Sequence, residues 1–89
     1  MPADAAVVQV GLGFSEDSWT EVSDDQGERL FYGLGSAGAS SSFEATLPIS
    51  IFFGNAGGVE LTVNGERYPI PAESRQGNLA RFVIAEPGF

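Results

Sequence analysis

The sequence predicts an all-β domain, either a small two-sheet sandwich or a squat barrel. Three observations carry this. No stretch shows helical periodicity, while apolar and polar residues alternate along several short runs. Twelve glycines and five prolines interrupt the chain every few residues, which is the punctuation of turns between short strands. Eighty-nine residues leave room for one core only. Together these give about seven or eight short antiparallel strands over residues 7–85.

In order, Val8, Val10, Leu12 and Phe14 alternate with Gln9, Gly11 and Gly13, so one face of a first strand is apolar. Glu16-Asp17 reads as a turn. Trp19-Thr20-Glu21-Val22 follows, with Thr20 and Val22 on one face and Trp19 and Glu21 on the other. Asp24-Asp25-Gln26-Gly27 is a hairpin turn, Asp bonding its own backbone and Gly taking positive φ. It leads into a third strand over Arg29-Leu30-Phe31-Tyr32. Gly33 to Ser42 is rich in Gly, Ser and Ala and is expected to be mostly loop. Extended structure resumes at Phe43–Leu47. Pro48, with no N–H for a ladder, marks a strand start or edge. Ile49-Ser50-Ile51-Phe52-Phe53 is the most apolar strand, and Gly54–Gly58 is a turn. Val59-Glu60-Leu61-Thr62-Val63 is expected to bury its three apolar side chains. Asn64-Gly65 supplies positive φ twice, as a type I′ hairpin requires, before Glu66–Ile70. Pro69 to Asn78 reads as an irregular crossover and Leu79–Ile84 as the last strand. Residues 86–89 are expected to be a tail, and residues 1–6 a linker remnant or an added start.

Composition excludes much chemistry. The chain has no His, Cys or Lys, so Ser-His, Cys-His and Ser-Lys pairs, Schiff bases and His or Cys ligation of transition metals cannot be built. The only cations are Arg29, Arg67, Arg75 and Arg81, against twelve carboxylates, for a net charge of −8. Such a field repels nucleic acid and anionic membranes; because the carboxylates are scattered along the chain, its reading is solubility rather than recognition of a basic partner. No run approaches the roughly 20 apolar residues of a membrane-spanning helix, and the first residues do not form a signal peptide.

The remaining motifs have plain structural readings. Asp24 and Asp25 lack the alternate donors and distal Glu of a calcium loop. Glu16 and Asp17 are adjacent turn carboxylates, expected to be solvated rather than a spaced acid/base pair. Gly33-Leu34-Gly35-Ser36-Ala37-Gly38 has no helix after it to cradle phosphate. No catalytic residue, metal site or cofactor is expected. Trp19, Phe31, Tyr32, Phe43, Phe53 and Tyr68 are read as core. Phe52 differs: with Ile49, Ile51 and Phe53 inward, it lies on the other face with Ser50, either covered by a loop or exposed as a contact point.

Five landmarks occur in order: Asp17–Val22, Asp25-Gln26-Gly27-Glu28-Arg29-Leu30-Phe31-Tyr32-Gly33, Pro48 to Ala56, Val59–Gly65 and Gly77-Asn78-Leu79-Ala80-Arg81-Phe82. Each is only a turn plus a strand, but the ordered set resembles the C-terminal domain of the RodZ family over roughly residues 7–85. Proteins of that family are bacterial cell-shape factors. A cytoplasmic helix-turn-helix domain binds MreB, one helix crosses the inner membrane, and a linker leads to a periplasmic β domain. Only the last part is represented, so neither MreB nor DNA is expected to bind these residues. The resemblance implies a periplasmic, non-catalytic module with partners in the peptidoglycan elongation machinery, namely MreC, RodA and the associated transpeptidase. The chain departs from the family pattern at Gly35-Ser36, where longer or basic side chains are usual, and at Phe52, where a polar one is common. Phe52, Ser50, Gly35 and Ser36 are therefore the candidate interaction surface. Two other roles stay open on the residues alone: a carbohydrate-binding module for peptidoglycan, suggested by the aromatic content, and a spacer or self-association element.

Overall fold

The computed structural model describes residues 6–85 and forms a β-sandwich of nine strands. The strands are β1 (Val7–Phe14), β2 (Ser18–Ser23), β3 (Arg29–Gly35), β4 (Ser40–Thr46), β5 (Ile49–Phe53), β6 (Val59–Val63), β7 (Glu66–Arg67), β8 (Arg75–Gln76) and β9 (Leu79–Ile84). Short 3-10 turns occupy Ala56–Gly58 and Ala72–Ser74. One sheet has the order β4-β1-β6-β7 and the other β3-β2-β5-β9-β8, all neighbours antiparallel. No ladder among the described residues joins β3 to β4 or β7 to β8, so the molecule is a sandwich open at both sides rather than a barrel.

The core forms where the two apolar faces meet. Val8, Val10, Leu12 and Phe14 of β1 and Leu61 and Val63 of β6 face Val22, Ile49, Ile51, Phe53, Ala80, Phe82 and Ile84 from the other sheet. Period-two alternation thus places the core side chains as the sequence predicts. Phe82 joins rings from both sheets, 6.1 Å from Phe53 and stacked at 6.5 Å on Tyr68. Thr20 and Ser18 are buried polar residues, and each donates its hydroxyl to a backbone carbonyl (Thr20 to Ser18, Ser18 to Trp19). That satisfies the desolvated groups.

Three expectations are corrected. Gly33–Ser42 is not mostly loop: β3 runs on to Gly35 and β4 begins at Ser40, leaving Ser36–Ala39 as the connection. Ser40, Ser41 and Ser42 pair with Gly13, Leu12 and Gly11 of β1, so the ladder rather than side-chain propensity holds this strand. Glu66–Ile70 pairs only through Arg67, because Pro69 cannot extend a ladder; Tyr68 and Ile70 turn onto the core instead. The crossover includes the small strand β8. Pro48 sits in the bend between β4 and β5, behind a cis Leu47–Pro48 peptide. The expected hairpin at Asn64-Gly65 is present, with φ of 54° and 84°. The expected tail at 86–89 and residues 1–5 lie outside the described residues.

Candidate functional site

The two outer faces of the sandwich differ in chemistry. On the four-stranded sheet, alternation leaves Gln9, Gly11, Gly13, Ser42, Glu44, Glu60, Thr62 and Arg67 outward, small or polar, with Val7 at the start of β1 as the one exposed large apolar side chain among the described residues there. On the five-stranded sheet it leaves Trp19 and Glu21 of β2, Tyr32 and Leu34 of β3, Ser50 and Phe52 of β5, and Leu79, Arg81 and Val83 of β9. Registers place Tyr32, Glu21, Phe52 and Arg81 in one row across four strands. Beside this row Leu34 lies opposite Trp19, and beyond it Ser50 lies opposite Val83.

Contacts within the row are specific. The Trp19 indole Nε1 donates to Glu21 Oε2 at 2.8 Å, and its ring meets Tyr32 edge-on with centroids 5.3 Å apart. The Arg29 guanidinium lies 4.1 Å over the Tyr32 ring, and that of Arg81 lies 4.6 Å over Phe52. Both are cation–π distances. Trp19 is 41% exposed and Tyr32 51%, so the two are surface residues and not core as composition suggested. Phe52 is half-buried, with the Arg81 guanidinium over its ring and Ser74 and Gln76 lining the same depression as that ring. A second depression of about 310 Å³ runs beside it, lined by Glu21, Ser23, Ser50, Arg81 and Val83.

The four sequence-derived surface residues do not form one patch. Ser50 and Phe52 lie together on this face. Gly35 is buried at the end of β3, where a Cβ would run into the Phe14 ring, so it has no side of its own to offer a partner. Ser36 is exposed in the turn after β3, four residues beyond Tyr32. Residue-by-residue reading did not single out Arg29 and Arg81. The available signal was the alternation that set Trp19 with Glu21 opposite Thr20 and Val22.

The carboxylate motifs hold loops together. Glu16 Oε1 accepts from Asn55 Nδ2 at 3.0 Å, and Asp17 Oδ1 accepts from the Ala37 backbone N–H at 2.8 Å. These two are latched rather than simply solvated. Asp24 Oδ1 accepts from the N–H groups of Gln26 and Glu28, both at 2.9 Å, which closes the hairpin turn. Among the described residues no three His, Cys, Asp or Glu side chains converge as a metal site would require.

No solved structure matches the chain. The model of the RodZ C-terminal domain family matches residues 11–83, from the middle of β1 to Val83 in β9, and so takes in strands of both sheets and the whole aromatic row. With the match spanning most of its length, the chain belongs to the RodZ C-terminal domain family.

Proposed function

We propose that this domain is a non-catalytic protein-interaction module of a RodZ-like cell-shape protein, acting in the periplasm on the peptidoglycan elongation machinery. The observation that carries the proposal is the face that exposes Trp19 and Tyr32 beside half-buried Phe52, with Arg29 and Arg81 over the Tyr32 and Phe52 rings. Trp, Tyr and Arg are the side chains in which binding energy concentrates at protein interfaces. The lack of His, Cys and Lys, together with turn carboxylates already engaged by loop donors, supports a non-catalytic role. MreC, RodA and the associated transpeptidase are the proposed partners.

Sugar stacking would use a flat, open ring face. Here one face of Tyr32 and one of Phe52 are occupied by guanidinium groups, and Trp19 stands edge-on to Tyr32. That favours a protein partner over a glycan strand. The test is a W19S/Y32S/F52S variant in the membrane protein that carries this domain, its folding checked on the isolated chain. Cell width and the localisation of the elongation complex should change as they do when the domain is deleted. Wild-type behaviour in both would refute the proposal. Retention of the parent chain on insoluble peptidoglycan at moderate salt, lost in the variant, would instead support the carbohydrate reading.

A further inference from the structure

Among the described residues no carboxylate pairs with Arg29 or Arg81, although the chain has twelve carboxylates for four arginines. Among the described residues the salt bridge present is Arg67 to Glu60, at 3.5 Å on the other sheet. The outward carboxylate in the row, Glu21, lies between the two arginines yet is bonded by the Trp19 indole. Each guanidinium rests on an aromatic ring instead. Among the described residues neither guanidinium donates a hydrogen bond, so the N–H fork that pairs with a carboxylate is unused in both.

We infer that this face takes an extended, carboxylate-bearing segment of a partner protein, with acidic side chains paired to Arg29 and Arg81 and apolar ones set against Tyr32, Phe52 and Val83. The inference rests on the interaction face proposed above and adds the chemistry of its partner. Tyr32 and Phe52 are two strands apart, roughly 10 Å at about 4.8 Å per strand, with Glu21 between them. That spacing suits two separate carboxylates and disfavours a continuous polyanion, which would press its charge on Glu21. A second copy docked about a twofold axis on this row would set the two arginines of one copy near those of the other and leave their N–H groups without acceptors. Glu44 and Glu60, on the outer face of the other sheet, lie about 10 Å or more behind, beyond the roughly 8 Å screening length of physiological salt. Asp24, Asp25 and Glu28, by contrast, precede Arg29 in the β2–β3 turn, so an acidic segment must seat its carboxylates on the guanidinium groups themselves.

The experiment is an NMR titration of the chain with short peptides of alternating Glu and Leu, compared with Gln-Leu and Lys-Leu peptides. The Glu-Leu peptide should move the Trp19 indole and the Arg29 and Arg81 Nε–H signals saturably, and more weakly as salt is added. The Gln-Leu peptide should bind about tenfold more weakly, since charge-assisted bonds to guanidinium are lost. R29Q/R81Q should remove the preference, and R29E/R81E should transfer it to the Lys-Leu peptide. Equal binding of all three peptides, or Glu-Leu leaving these signals unmoved, overturns the inference. The same arginine variants in the membrane protein separate the two proposals. If W19S/Y32S/F52S alters cell width while R29Q/R81Q leaves it normal, the interaction face stands and the acidic partner falls. If neither alters it, both fall.

Discussion

Replacing Gly35 with alanine should destabilise the domain by about 3 kcal/mol, through one contact. The φ of Gly35 is not in the left-handed region, so alanine meets no torsional penalty. At an open site the substitution would stabilise by about 0.4–1 kcal/mol, by restricting the unfolded chain. Gly35 is not open: its Cβ would collide with the Phe14 ring, with Cδ1 only 2.6 Å away. Phe14 is 5% exposed and packed on Phe31 at 5.9 Å, so the ring has little room to yield. Overpacking of this kind costs about 1–3 kcal/mol, and three colliding ring atoms put it at the top of that range. Urea unfolding measures it: with a slope of about 1 kcal/mol/M, the midpoint should fall by about 3 M. Phe14→Leu alone should cost about 1–2 kcal/mol, but it removes the colliding atoms. F14L/G35A should therefore be close to F14L in stability, a coupling of about 2–3 kcal/mol. Strict additivity, or a G35A variant as stable as the parent, would refute the reasoning. A functional defect in a Gly35 variant would then report the fold and not a lost partner contact.

Three further outcomes are expected. Asn55→Ala removes the donor that ties Glu16 Oε1 and the Asp17 carbonyl to the β5–β6 connection; it should cost about 1–2 kcal/mol and lower the melting temperature by roughly 4–16 °C, and an unchanged melt refutes that role. Gly65→Ala forces an L side chain to φ 84° with open space around it, so denaturant unfolding should show a backbone penalty of about 1 kcal/mol; parental stability would count against the positive-φ turn. Arg67→Ala breaks an ion pair whose side chains are 78% and 59% exposed, so stability should change by less than about 0.5 kcal/mol in the same assay, and a larger loss would show that Arg67 has another structural role.

The core was legible because one rule generates it. Val8, Val10, Leu12 and Phe14, or Ile49, Ile51 and Phe53, alternate with residues that can face water, and period two needs no tertiary information. Ser40–Ser42 was not legible as strand. It lacks β-branched or aromatic residues and is held by pairing with Leu12 and two β1 glycines, a condition visible only once the strands are in register. The surface site was hidden for a related reason. Phe52 and Arg81 are opposite each other because β5 and β9 are neighbours, and Tyr32 joins the row through β2. Alternation assigns a side chain to a face; strand order decides which side chains share it.

That strand order makes the two sides of the sandwich unequal. Of the six exposed large apolar side chains among the described residues, Trp19, Tyr32, Leu34, Leu79 and Val83 lie on the five-stranded face, and only Val7 lies elsewhere. An apolar patch of this kind left bare favours aggregation, whereas one kept for binding has polar groups at its margin. Arg29 and Arg81 supply such groups, and they do so by lying over the rings, so ring surface is shielded. Glu21 and the Trp19 indole satisfy each other within the same patch. The opposite face is built mostly of Gly, Ser, Thr, Gln and Glu, with Val7 at one end and Arg67 engaged by Glu60, and carries no exposed aromatic ring among the described residues. Solubility and recognition are thus set apart: the small, polar residues of one face and the carboxylates spread over the turns keep the molecule dispersed, which permits the aromatic face to stay exposed.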